Sequence, residues 1–424
     1  MAVNGWLCVS SYSCKTVRIP PVILLVGYPA LRRDLSIICS EEHKTRRHAV
    51  KKVYIGLDVH KESIVIGVAT GDRVFIHGKC SSDIQRFLKA LRGLLKKYDL
   101  SKEDVAICYE AGPSGFTLAR HLKRIGYKID VIAPSLIPTK SGDRVKTDKR
   151  DARKLARLYR AGELTPVHVP DPEDEVMRDL GRARTDAIDN RTRARQRLTM
   201  FLMRNGHHYT GRSSWTEAHR RYLRELVLID PIQKLILEEY LQTVDLAEKR
   251  VEALEEHMRI RSENWARNDF VLALQALKGF RFTAAMIIAS ELGDLTRFSH
   301  PSQLMAYLGV VPSENSSGNK RNQGAITKTG NTHARWILVE IAHAYRTAPK
   351  VSKELSRRQE GQHGKVKTLS WKAQNRLHKR YIRLRMRRLH ENKVKVAIAR
   401  ELVGFIWELA HVMKNIKEPS QIPA

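Results

Sequence analysis

The sequence predicts an α/β domain followed by a largely all-α remainder, and three observations carry that prediction. Between residues 52 and 164, short runs rich in Val, Ile and Tyr come before and between stretches of helical periodicity. A proline cluster, Pro166, Pro170 and Pro172, then interrupts the chain as an extended linker. Beyond it, apolar residues recur at the seven-residue spacing of packed helices.

The first unit, residues 51–165, opens with three β-like runs at Val53–Val59, 63–69 and 73–78, joined by turns such as Gly71-Asp72. An amphipathic helix over 83–98 follows, with Ile84, Phe87, Leu88, Leu91 and Leu95 on one face. Next come a strand at Val105–Glu110, a helix over 116–125, a strand over 129–133 and a helix opening near Asp148. Three meandering strands, then strand–helix–strand–helix, is the order of an RNase H-like domain, whose acids converge at the middle of the sheet.

Four carboxylates fall where that order would gather them. Asp58 sits inside the first apolar run, and Glu110 closes the fourth strand. Asp148 and Asp151 are three apart and share one helical face. An acid in a buried strand is costly unless it is paired or bound to a cation. A cluster of hard oxygen ligands suits Mg²⁺ or Mn²⁺. Each acid also has a local reading: Asp148 as an N-cap with Asp151 completing a capping pair, Glu110 bonding the turn after its strand. Asp58 has no capping role in mid-strand. Lys146, Lys149 and Arg150 lead a dense set of cations around the last pair, suited either to phosphate contacts or to a solvated helix face.

Residues 166–265 read as a linker and a helical coiled coil. Leu180, Ala187, Ala194 and Phe201 are seven apart, and Leu237, Tyr240, Val244, Ala247, Val251, Leu254 and Met258 form a cleaner heptad. Packing within the chain and association between protomers both satisfy this pattern. In residues 266–350, Leu277-Lys278-Gly279-Phe280-Arg281 before an apolar helix resembles a helix-hairpin-helix phosphate grip, with one of its usual glycines replaced. A polar loop follows, holding Ser316-Ser317-Gly318 with Lys320, Arg321 and Lys328 nearby; on composition it is a surface turn. Residues 351–424 are basic and helical, with Trp371 and Tyr381 among cations, a pattern suited to RNA or single strands.

The formal net charge of +31 points to a polyanion partner, nucleic acid above all. No apolar segment is long enough to span a bilayer, so no membrane partner is expected. Five cysteines without zinc-ligand spacing fit a reducing, cytoplasmic setting. Residues 1–50 do not read like the rest; an over-extended start, with translation beginning near Val50, or a disordered extension is expected there.

Several separated motifs resemble one family. Tyr54-Ile55-Gly56-Leu57-Asp58-Val59-His60-Lys61, Glu110-Ala111-Gly112, Lys146-Thr147-Asp148-Lys149-Arg150-Asp151-Ala152, and Ser317-Gly318 with Ile326-Thr327-Lys328-Thr329-Gly330-Asn331 look like those of the DEDD insertion-sequence transposases. These are relatives of the Piv-type DNA invertases, and are understood as bridge-RNA-guided recombinases. The resemblance implies a RuvC-like first domain with Asp58, Glu110, Asp148 and Asp151 as metal ligands, and a coiled-coil middle. It also implies a mostly helical transposase domain whose Ser317, with Ser316 as the neighbouring alternative, attacks DNA through a covalent phosphoserine intermediate. DNA, a non-coding guide RNA and a homo-oligomer, dimer or tetramer, are the implied partners. Two other functions satisfy the composition: a RuvC-like nuclease or junction resolvase that activates water, and a non-catalytic nucleic-acid binder.

Overall fold

The computed structural model describes residues 52–139, 147–317 and 322–418, so the expectations for residues 1–50, Lys146, Lys320 and Arg321 lie outside the described residues. The described chain forms two compact units, one ending at Thr165 and the other running from Pro166, with Ala133–Ile137 added to the second.

The first unit is a five-stranded sheet in the order β3-β2-β1-β4-β5. β1 (Val53–Val59), β2 (Ser63–Thr70) and β3 (Arg73–Ser81) form an antiparallel meander. Helix α1 (Ile84–Tyr98) leads to β4 (Val105–Glu110), which pairs parallel to β1. Helix α2 (Thr117–Arg124) leads to β5 (Lys128–Ile132), parallel to β4. Helix α3 (Asp148–Arg160) completes the unit. This mixed sheet is consistent with the expected RNase H-like domain.

Strand alternation gives the sheet two distinct faces. Ile55, Leu57, Ile107 and Tyr109 are fully buried on one. Phe75, in register with Val68 and through it with Ile55, meets Tyr98 at the end of α1 on that side. Gly56, paired with Gly67 and Cys108, points the other way, toward α3. The Gly56–Gly67 pair matters because nothing else fits: a Cβ on either residue would overlap the α3 backbone at Ala152. Two glycines below and two buried alanines, Ala152 and Ala156, above let helix and sheet approach backbone to backbone.

The second unit is mostly helical. Helices α4 (Pro172–Arg204) and α6 (Pro231–Glu263) each run 33 residues, about 50 Å, with the short α5 (Glu217–Glu225) between them. Arg184 pairs with Glu255 at 2.6 Å, and Gln233 bonds Asn205 at 3.0 Å, so the partners run in opposite directions. Of the heptad residues, Leu237, Val244, Val251 and Met258 are buried, whereas Tyr240, Ala247 and Leu254 are half-buried. The main core lies among α7 (Asn268–Gln275), α8 (Phe282–Leu292), α9 (Pro301–Tyr307), α10 (Thr332–Ala342), α12 (Gly364–Met386) and α13 (Glu391–Lys417). A two-stranded hairpin, β6 (Pro312–Glu314) with β7 (Gln323–Ile326), leaves this core, and α11 (Lys353–Gln359) precedes α12.

One sequence expectation is corrected here. Tyr381 is buried in the core, on the same face of α12 as Leu377 and Leu384, and is withheld from base stacking. Trp371 is exposed. Lys372 pairs with Glu408 at 2.9 Å, and Arg376 and Arg380 share Glu401, so these three cations are paired within the chain. No described helix is long and apolar enough to cross a membrane.

Candidate metal centre and serine hairpin

Asp58 lies two residues beyond Gly56 on β1 and therefore projects to the α3 side of the sheet. The close approach at Gly56 and Gly67 sets α3 down with its first turn beside Asp58. That turn is capped by Thr147, whose side chain accepts the Arg150 amide at 3.3 Å. Asp148 is thus the first helical residue and not the cap, which corrects the capping reading and leaves its carboxylate for another purpose. Asp148 and Asp151 both stand in the first turn, where the helix dipole favours negative charge.

His60, held in the tight β1–β2 turn by its backbone bond to Ser63, brings its Nε2 3.1 Å from Asp58 Oδ2 and 3.6 Å from Asp148 Oδ1. One ligand atom from each of Asp58, His60 and Asp148 lies within 4.8 Å of the others. Burial pushes the Asp58 carboxyl above its ordinary range; His60 works against this, while the charges of Asp148 and Asp151 add to it. Such crowding of carboxylates is costly without a cation, and its hard oxygen donors fit a divalent ion.

Glu110 ends β4 on the same face. The β1–β4 pairing runs to Leu57–Tyr109, and Asp58 and Glu110 stand one step beyond it on adjacent strands, which in a sheet lie about 4.8 Å apart. Glu110 is exposed and stands outside the compact three-residue group. A fifth acid on this face, Asp130, is already engaged, accepting a 2.6 Å bond from the Tyr159 hydroxyl. Lys149 and Arg150 are exposed on the first turn of α3. His60 is the member that the sequence reading passed over, although it stands inside the quoted Asp58-Val59-His60 motif.

In the second unit, the β6–β7 hairpin carries the two serines. Ser316 Oγ donates to Glu314 at 2.9 Å and accepts the Asn322 amide at 3.1 Å, so it is committed to closing the turn. Ser317 is exposed, and among the described residues its hydroxyl has no hydrogen-bond partner. Lys328, with φ +57, lies beyond β7 and donates its amide to Gly309. Below the hairpin is a polar centre that sequence reading missed. Glu291, buried in the apolar helix α8, accepts from Arg182 Nε at 2.8 Å, Asn331 Nδ2 at 2.7 Å and His333 Nδ1 at 3.0 Å. Burial alone would raise this carboxyl, but the bonds from His333, Arg182 and Asn331 outweigh it and hold the group at about 2.

Comparison with known proteins decides what this architecture belongs to. A family model of DEDD transposases of IS110 elements matches residues 55–205, and a model of the transposase IS116/IS110/IS902 family matches 272–357. A putative transposase, y4qE, of Sinorhizobium fredii is 41% identical over 363 residues, 85% of this chain and 89% of the relative. The transposase for insertion sequence element IS1533 of Leptospira borgpetersenii is 31% identical over 345 residues, 80% of this chain and 98% of the relative. The chain belongs to the IS110 family of insertion-sequence transposases. Transposases cut and rejoin DNA, so DNA is a partner of this one. Divalent cations are the usual cofactors of DEDD transposase domains, and the group around Asp58 and Asp148 has the donor chemistry to hold one.

Proposed function

We propose that this transposase cuts and rejoins DNA through a phosphoserine intermediate on Ser317, supported by Mg²⁺ or Mn²⁺ held by Asp58, Glu110, Asp148 and Asp151. The observation that carries the reading is the meeting of Asp58 and Asp148, from a strand and a distant helix, at one point on the sheet. When bound, the cation supplies Lewis-acid stabilisation of phosphate charge. Ser317 Oγ forms a bond to the scissile phosphorus as the phosphorus–oxygen bond to one DNA strand end breaks, and the serine proton ends on the departing DNA oxygen. A hydroxyl on the recipient strand then attacks the same phosphorus and releases Ser317. The phosphodiester energy stays in the protein–DNA link, so rejoining needs no nucleotide cofactor. Engagement of Ser316 in the turn favours Ser317 as the nucleophile.

The partners follow from charge and surface. A net charge of +31 suits polyanion partners, a guide RNA beside the DNA. Exposed Trp371, Lys379 and Arg383 on α12 would stack on bases and meet phosphates. The Gly279 turn before α8 supports a phosphate grip only in part, because Lys278 donates to the carbonyls of Thr347 and Ala348. The α6 heptad is taken up by α4 within the chain, where Tyr240 meets Phe201 at 5.5 Å, whereas the exposed Leu235, Leu246 and Ile260 of α6 suit contact with a second protomer in a dimer or tetramer.

The test is a denaturing gel of protein incubated with element-end DNA, guide RNA and Mg²⁺. Wild type and Ser316→Ala should give a covalent protein–DNA band, and Ser317→Ala should not. DNA hydrolysis that persists in Ser317→Ala without any covalent band would favour a water-activating nuclease instead.

A further inference from the structure

The base of the serine hairpin is fastened in an unusual way. Residues 308–311 lead into β6, and residues 327–331 lead out of β7. The Thr327 amide donates to Val311 at 2.9 Å and the Lys328 amide to Gly309 at 3.1 Å. Arg335, largely buried, donates from Nη1 to both sides, to Leu308 at 2.8 Å and Thr329 at 2.9 Å. Gly309 and Gly330 have φ of +62 and +75, and a Cβ on either would overlap the opposing backbone at Thr329 or Tyr307. The two segments therefore form a clamp with no slack for side chains.

The clamp is tied to the core at Glu291. Asn331 does two things with one side chain: its Oδ1 accepts the Ala334 amide at 2.9 Å and caps α10, and its Nδ2 donates to Glu291. His333, in the first turn of α10, donates to the same carboxylate through Nδ1, and its Nε2 lies 3.0 Å from Thr185 on α4. Arg182, one turn before Thr185 on α4, forks onto Glu291 with both Nε and Nη2, at 2.8 and 3.0 Å. The Glu291 side chain is only 1% exposed. A charge buried at this depth is weak evidence for stability, since apolar residues of similar size commonly do as well. What a fully bonded buried carboxylate does supply is a single geometry for the groups it joins.

We propose that Glu291 is a positioning residue for strand cleavage: through Asn331 and His333 it fixes the clamp at the base of β6–β7, and so the direction in which Ser317 is presented to DNA. This rests on Ser317 being the nucleophile. Glu291 touches no DNA in this account and acts only through the loop it holds. A misplacement of the attacking oxygen by about 1 Å is enough to cost on the order of a hundredfold in rate.

The experiment uses the full chain carrying Glu291→Gln and, separately, Asn331→Ser. Glutamine keeps the shape of Glu291 but cannot accept three donors at once. Serine keeps an N-cap for α10 but cannot reach Glu291. Three quantities are read: amide hydrogen exchange at Thr327 and Lys328, DNA affinity, and the rate of covalent adduct formation. The expected result is exchange faster by about tenfold or more at those two amides. Affinity and the protection of α8 should be unchanged, and the adduct should form about tenfold to a hundredfold more slowly. An adduct rate equal to wild type in a folded variant would overturn the proposal, as would a slower rate matched by equal loss of affinity. If Glu291→Gln does not fold, Asn331→Ser decides on the same readouts. Failure of the serine reading is seen separately, as an adduct that survives Ser317→Ala, whereas the exchange at Thr327 and Lys328 reports on the clamp alone.

Discussion

Asp58 on β1 and Asp148 at the start of α3 both reach the same imidazole nitrogen, His60 Nε2, at 3.1 and 3.6 Å. The relationship depends on a helix seated directly on a glycine pair, and it concentrates negative charge in a partly buried corner. Removing one of those charges should therefore stabilise the protein in the absence of a cation. Asp58→Asn is expected to melt above wild type in chelator, measured by calorimetry, and to cut no DNA. Saturating Mg²⁺ should reverse that order, because a ligand at a hundred times its Kd stabilises wild type by about 2.7 kcal/mol and the variant far less.

Gly67 makes the same architecture testable from beneath. In Gly67→Ala the new methyl would meet the Ala152 carbonyl of α3. Helix or sheet must then shift, at a cost of roughly 1–3 kcal/mol. Chemical denaturation should show that loss. DNA cutting should fall by more than the stability change accounts for, because Asp148 and Asp151 ride on the displaced helix.

Glu291 gives the second unit an acid-sensitive point. Its carboxyl is held at about 2 when folded, against an ordinary value of 4.5. A depressed folded value means that the stabilisation is complete above about pH 4.5 and is lost as pH falls toward 2. Roughly 3 kcal/mol rides on that difference. Denaturation midpoints measured across this window should fall less steeply for Glu291→Gln than for wild type.

Lys149 and Arg150, exposed on the first turn of α3, are expected to meet DNA phosphates. Alanine at Lys149 should leave the melting temperature unchanged. Alanine at either position should lower the slope of log affinity against log salt by about 0.9, read from DNA titrations at several salt concentrations.

Much of the first unit was legible because its strands announce themselves. Val53–Val59 and Val105–Glu110 lie where the alternation of branched residues placed them, and an acid amid apolar neighbours marked Asp58. Glu291 carries the same mark, between Ser290 and Leu292 in an apolar helix, and that criterion applied evenly along the chain would have found it. The pairing of Glu291 with Arg182 was not legible, since it joins residues far apart in sequence through packing that no local pattern encodes. Helix α5 was missed because only His219 and Leu223 are buried on it, too few for a periodic signal. Tyr381 misled for the opposite reason: cations surround it in sequence, but its spacing from Leu377 and Leu384 puts it on the core face.

The claim on which the rest depends is that Asp58 and Asp148 share a divalent cation. Mn²⁺ titration of the full chain, followed by electron paramagnetic resonance of the free ion, tests it directly. Wild type should take up Mn²⁺ at a saturable site that is lost in Asp58→Asn and in Asp148→Asn and is kept in Lys149→Ala. Equal Mn²⁺ uptake by wild type and both asparagine variants would contradict it.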